Sequence, residues 1–89
     1  MRAPCDSALL NAIRGGDVAA LGLLLERYRP SLLAAAIRIA GRGPEAEDAF
    51  QETCLIALRH IGSVRDPEAV GFWLHTVLRR ACLQQNAGN

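Results

Sequence analysis

The sequence predicts an all-α fold, a compact bundle of about four helices, and three observations carry that expectation. Half of the 89 residues are apolar (51 %), which excludes a disordered chain. Aromatics are confined to Tyr28, Phe50, Phe72 and Trp73, so the core must be built from Leu, Ile, Val and Ala, and no stretch alternates with the period of a strand. Finally, Gly, Pro and Asp fall where helices start and stop, cutting the chain into pieces of helical length.

The first piece, "DSALLNAIRGG", reads as a short helix capped by Asp6 or Ser7 and stopped by Gly15 and Gly16. Asp17 then caps a second helix, whose apolar residues recur at helical spacing through Leu21, Leu24, Leu25 and Tyr28, then Leu32, Leu33, Ile37 and Ala40. Pro30 lacks a backbone donor, so a kink or break is expected there; Gly41 and Gly43 end the piece. Pro44 opens a third helix at a first-turn position, followed by Glu45 and Glu47, where acids suit the helix dipole. It runs to about Ile61. A loop, "GSVRD", follows from Gly62, and Asp66 with Pro67 starts a fourth helix extending to about residue 85. The whole is expected to be one domain, 1–89, structured over about 8–85, with "NAGN" at 86–89 a frayed end or the start of a linker.

The formal charge is +1, from ten arginines, no lysine and nine acids. The net value indicates no partner, but the charges are segregated: Glu45, Glu47, Asp48 and Glu52 cluster, while Arg79 and Arg80 close the last helix. The three cysteines, Cys5, Cys54 and Cys82, are odd in number and widely spaced, so a disulfide framework is not indicated and a reducing cytoplasm fits best. No apolar run approaches membrane-spanning length, and "MRAPCD" carries no secretory signal.

Chemistry is sparse. His60 and His75 lack a carboxylate at a telling spacing. Cys82 lies seven residues after His75, two ligands short of a metal site. No Glu-x-x-His pair of the di-metal bundle type occurs. The expectation is therefore no enzyme, no cofactor and no metal.

Two helix faces are more informative. On a wheel at ~100° per residue, Ala46, Phe50, Cys54, Ala57, Leu58 and Ile61 share the core side of the third helix. Opposite them run Asp48, Gln51, Glu52, Leu55 and Arg59, with Ile56 at the border. An aliphatic residue thus sits inside a polar stripe. Both a solvated face with a stray leucine and a docking surface, with a leucine anchor ringed by acceptors for a partner's arginines, fit that pattern. In the fourth helix the buried arc is expected to be Val70, Trp73, Leu74, Val77, Leu78, Ala81 and Cys82. The other arc holds Phe72, His75, Thr76, Arg79, Arg80 and Leu83. Aromatic and basic residues without acids suit nucleic acid, with arginines on phosphates and a ring on an unpaired base; arginines complementing the helix dipole give a second reading.

Together these stretches resemble region 2 of bacterial extracytoplasmic-function (ECF) sigma factors. "GGDVAALGLLLERYRPSLLAAAIRIAG" looks like the family's opening helices, "EAEDAFQETCLIAL" like its Ala-Glu-Asp-x-x-Gln-Glu signature, and "GFWLHTVLRRACLQQ" like its promoter-facing helix, covering about residues 8–85. The resemblance implies a transcription-initiation subunit in which Asp48, Gln51, Glu52 and Leu55 dock on the β′ coiled coil of core RNA polymerase. It implies that Ser63, Val64, Arg65 and Asp66, with Phe72, Trp73, His75, Thr76, Arg79 and Arg80, read the non-template strand of the promoter −10 element and capture a flipped base, which helps to drive melting. An anti-sigma factor is a further candidate partner.

Several positions depart from the family pattern. Cys54 stands where an aromatic is usual and Leu58 where Trp is frequent; both are expected in the core. Val70 and Gly71 replace what is commonly Phe and a polar or basic residue, Thr76 a basic one, and Arg80 an Asn. These last four fall on the promoter side, which motivates a rival reading: a sigma-like interaction module that binds polymerase or an anti-sigma factor without melting DNA. The family's −35-reading helix-turn-helix has no counterpart in these residues, so the chain is expected to be either a fragment ending at a linker, as "NAGN" suggests, or a protein that works with region 2 alone.

Overall fold

The computed structural model describes residues 5–87 and contains four α-helices: α1 (Asp6–Arg14), α2 (Val18–Ala40), α3 (Pro44–His60) and α4 (Val70–Ala87). Two single 3-10 turns, Ile61–Ser63 and Pro67–Ala69, lie between α3 and α4. The all-α bundle is as the sequence predicts. Helices α2, α3 and α4 pack pairwise around one core, and α1 packs on α2 and reaches both 3-10 turns.

Leu10, Leu24, Leu32, Ile61, Leu74 and Leu78 are buried completely or nearly so at the centre. Each contributes on the order of 1.5–3 kcal/mol of transfer free energy. Small residues, Ala36, Ala49 and Ala57, are equally buried and let the helix axes approach. Thr53 is the one buried polar residue among the described residues; its hydroxyl donates to the Ala49 carbonyl at 2.8 Å, so its burial leaves nothing unsatisfied.

Asp17 caps α2 as expected, its carboxylate accepting from the Ala20 amide at 3.2 Å. Asp66 does the same for the turn that leads into α4, accepting from Glu68 at 3.0 Å. At α1 the expected cap is not formed. Cys5 holds the cap position without a side-chain bond, and Asp6 instead accepts from Arg27, at 2.6 Å, and from Tyr28. A charged guanidinium and a phenol outcompete a backbone amide for that carboxylate.

Pro30 does not break α2, which continues through it to Ala40. The carbonyl of Glu26 loses its helical partner there, but Glu26 and Pro30 are both on the exposed side, where water can take over. The segment from Gly62 is likewise not a plain loop, because Ile61–Ser63 forms a 3-10 turn. Helix α4 runs past residue 85 to Ala87, so Asn86 and Ala87 are helical rather than linker. Residues 88–89, and the "MRAP" of residues 1–4, lie outside the described residues.

Candidate functional site

Asp48, Gln51, Glu52 and Leu55 all project from the exposed face of α3, with Leu55 at 56 % exposure. Glu47, one residue before Asp48, points elsewhere and meets Arg29 of α2 at 3.5 Å. Arg29 also lies over the Phe50 ring, 5.1 Å from its centroid. The acidic cluster is therefore two populations. Glu47 helps to hold α2 to α3, while the side chains of Asp48, Gln51 and Glu52 have no partner among the described residues.

Leu58 requires a correction. It was expected in the core, but it is 56 % exposed, and Ala49 and Thr53 take the inward positions instead. On the wheel Leu58 sits ~60° from Leu55 and on the far side of the helix from Ala49, so the reading had stretched the core arc too far. Leu58 lines a shallow groove with Ile13, Gly16, Asp17, Val18 and Leu21, one turn along from Leu55. The apolar part of this face is thus wider than the single leucine read from sequence. Cys54 is half-buried, and burial pushes its thiol up, as it does that of the fully buried Cys82. Neither is set up as a thiolate nucleophile.

The second face combines the 61–66 segment and α4. Buried Ile61 and Val64 pin the segment to the core. Val64, expected on the DNA side, is 7 % exposed, and its carbonyl accepts a hydrogen bond from Arg14. Ser63, Arg65 and Asp66 face outwards. Ser63 donates to the His60 carbonyl at 2.7 Å and Asp66 is engaged as a cap, which leaves Arg65 as the free cation of the segment among the described residues.

Phe72 is 79 % exposed, the most exposed large apolar residue among the described residues. Thr76, Arg79 and Leu83 follow it along the same face, with His75 and Arg80 on the flanks. Arg79 and Arg80 are exposed, with no acidic partner among the described residues. Thr76 donates to the Phe72 carbonyl at 2.9 Å, and His75 leans to Ser31 of α2, with Nε2 and Oγ 3.2 Å apart. Trp73 and Val77, placed by sequence in the buried arc, are only half-buried; Trp73 packs against the core's edge.

Gly71 has a structural reason. A Cβ built on it would lie 3.0 Å from Tyr28 Cε1 and 3.3 Å from the hydroxyl, so the ring is packed on the α4 backbone. Burial, then the hydrogen bond to Asp6 and the charge on that carboxylate, push the Tyr28 phenol up to about 12, against a lesser opposing pull from Arg27. Among the described residues no group of three His, Cys, Asp or Glu side chains is placed to hold a metal, and no helix is long and apolar enough to cross a membrane.

A family model described as Sigma-70 region 2 matches residues 24–86, most of the chain. The chain belongs to the Sigma-70 region 2 family. It is 36 % identical over 80 residues to an ECF RNA polymerase sigma factor, SigM, of Mycobacterium tuberculosis, covering 90 % of this chain and 41 % of the relative. It is 31 % identical over 72 residues to the RNA polymerase sigma-H factor of Pseudomonas aeruginosa, covering 81 % and 37 %. With ECF RNA polymerase sigma factor EcfG of Rhodopseudomonas palustris the identity is 44 % over 50 residues, covering 56 % and 28 %. The chain therefore spans at most about two-fifths of the length of these curated relatives. No solved structure matches it. The family match begins inside α2, so α1 and the groove residues Ile13, Gly16, Asp17, Val18 and Leu21 precede the matched segment.

Proposed function

We propose that this chain is a single region 2 domain of an RNA polymerase sigma factor, acting in the cytoplasm during transcription initiation. Its α3 face docks on the β′ coiled coil through Asp48, Gln51, Glu52 and Leu55. The 61–66 segment and α4 engage the non-template strand of the −10 element through Ser63, Arg65 and Asp66, with Phe72, Trp73, His75, Thr76, Arg79 and Arg80. Neither role requires a cofactor or a catalytic group.

The observation that carries the reading is the state of the α3 stripe. Two carboxylates and an amide surround an exposed leucine and are engaged by nothing among the described residues. Unpaired acceptors around an apolar anchor are the arrangement of an interaction hot spot facing a basic partner. On the α4 side, Phe72 and the unpaired Arg65, Arg79 and Arg80 supply a ring for an unstacked base and charge for phosphates.

The test is the affinity of the folded chain for bacterial core RNA polymerase. Leu55→Asp is expected to weaken it at least about tenfold, since a buried interface anchor is worth more than ~1 kcal/mol. Unchanged affinity in a folded variant would remove Leu55 from the docking surface.

A second reading is supported by the promoter side itself. Val64 is turned inwards, the Thr76 hydroxyl is bound to its own helix, and Gly71 is occupied by Tyr28. With these positions turned inwards or engaged within the fold, an interaction module that binds polymerase or an anti-sigma factor, without opening DNA, is the alternative. Single-stranded DNA binding separates the two.

A further inference from the structure

Arginine 14 closes α1 and extends across to a segment 48 to 50 residues away in sequence. Its Nε donates to the Gly62 carbonyl at 3.3 Å and one terminal nitrogen donates to the Val64 carbonyl. Both acceptors belong to the short stretch between α3 and α4 whose outward side chains are Ser63, Arg65, Asp66 and Glu68. Beyond this fork the segment is tied by its own turns, Val64 to Ile61 at 3.0 Å and Ala69 to Asp66 at 2.9 Å, and by the buried side chains of Ile61 and Val64. None of those ties joins the backbone of 62–64 to another helix by a hydrogen bond; Arg14 does. The other end of α1 is anchored as well. Asp6 holds Arg27 and the Tyr28 hydroxyl, and the Tyr28 ring rests on the backbone of Gly71, next to Phe72. One short helix thus touches the proposed nucleic-acid face at two places, the 62–64 backbone and, through Tyr28, the first turn of α4. It does so with residues that mostly precede the Sigma-70 region 2 match at 24–86.

We infer that α1 is a brace for the nucleic-acid face, and that Arg14 is a positioning residue that fixes the backbone of 62–64 so that Ser63, Arg65 and Asp66 are presented in one arrangement. The inference deepens the sigma-domain reading and rests on it for the identity of the ligand. The brace itself rests on geometry alone. A guanidinium fork suits the task, because its planar donors reach two carbonyls at once and stay charged at all working pH values. Preordering the segment removes an ordering cost that would otherwise be charged against binding. As Arg14 is engaged with carbonyls, it is not a phosphate contact.

The experiment compares the full chain with Arg14→Gln and Arg14→Lys by two readouts. The first is amide hydrogen exchange. Arg14→Gln is expected to speed exchange in 61–66 about tenfold while α3 and the middle of α2 keep their protection. The second is binding of a short fluorescein-labelled single-stranded DNA of mixed sequence across a salt series. Arg14→Gln should bind about three- to tenfold more weakly with an unchanged slope of log affinity against log salt, because no phosphate contact is lost. Arg14→Lys, which keeps the charge and one donor, should recover part of both effects. Unchanged exchange in 61–66 for Arg14→Gln overturns the brace, whatever the DNA result. A flattened salt slope also overturns it, by making Arg14 a direct phosphate ligand. A wild type that binds no DNA, with a segment that loosens in Arg14→Gln, overturns the nucleic-acid reading and upholds the brace.

Discussion

Tyr28 shows how one side chain can serve three helices. It belongs to α2, donates its hydroxyl to Asp6 of α1, and lays its ring on Gly71 of α4. Its acidity follows from that position, with the phenol raised from 10.0 to about 12, chiefly by burial and then by the Asp6 carboxylate. Because the fold favours the neutral phenol, the sign is fixed. The stabilisation is complete below pH 10 and is lost as the pH rises from 10.0 towards 12, the interval between the unfolded and folded values. Denaturant unfolding across this range should show stability falling. Tyr28→Phe should flatten the fall and cost ~1 kcal/mol at neutral pH for the lost hydrogen bond. The thiols of Cys54 and Cys82, also pushed up by burial, contribute in the same direction, so it is the difference between wild type and Tyr28→Phe that isolates the phenol. Parallel curves would mean the phenol is free in solution.

At the scale of elements, α4 carries two features of opposite cost. Gly71 weakens its first turn, and a Gly→Ala change in a helix normally returns ~1 kcal/mol. Here the added methyl would press on a Tyr28 ring that Asp6 restrains, at 3.0 Å from Cε1. Gly71→Ala should therefore bring no gain in thermal stability; a gain of ~1 kcal/mol would show that the ring yields freely. Farther along, Arg79 and Arg80 are exposed at the basic end of the Phe72 face. If they hold phosphates, replacing both with alanine should weaken single-stranded DNA binding for all sequences alike. The slope of log affinity against log salt should fall by about 1.4, at ~0.7 per contact. A slope identical to wild type would mean that the two arginines hold no phosphate. The third helix divides its acids similarly. Glu47 is joined to Arg29, whereas the side chains of Asp48 and Glu52 have no partner among the described residues.

For the molecule as a whole, the bundle was legible because local signals agreed with one another. Caps at Asp17 and Asp66, Pro44 at a helix start and helical apolar spacing all name the same boundaries. The errors fall where a side chain has two possible partners and only tertiary structure decides. Asp6 leaves its own helix end for Arg27 and Tyr28. Leu58 lies opposite Ala49 on the wheel and faces outward, at 56 % exposure, beyond the edge of the core arc. Val64 faces inward from a segment whose short 3-10 turn no periodicity announces. Arg14 could not be found at all, since its acceptors are backbone carbonyls far away in sequence. The exposed stripe of α3 was readable for the reverse reason: its residues share one helix, where spacing alone sets the face.

The central claim is that this stripe meets β′. The most direct test is the binding of the purified chain to an isolated β′ coiled-coil fragment, for wild type and Glu52→Arg, with circular dichroism confirming the same helical content in both. The account predicts that wild type binds and that Glu52→Arg loses at least about tenfold in affinity, since the swap sets like charges against each other at the contact. Equal binding by both proteins, or none by well-folded wild type, would contradict it.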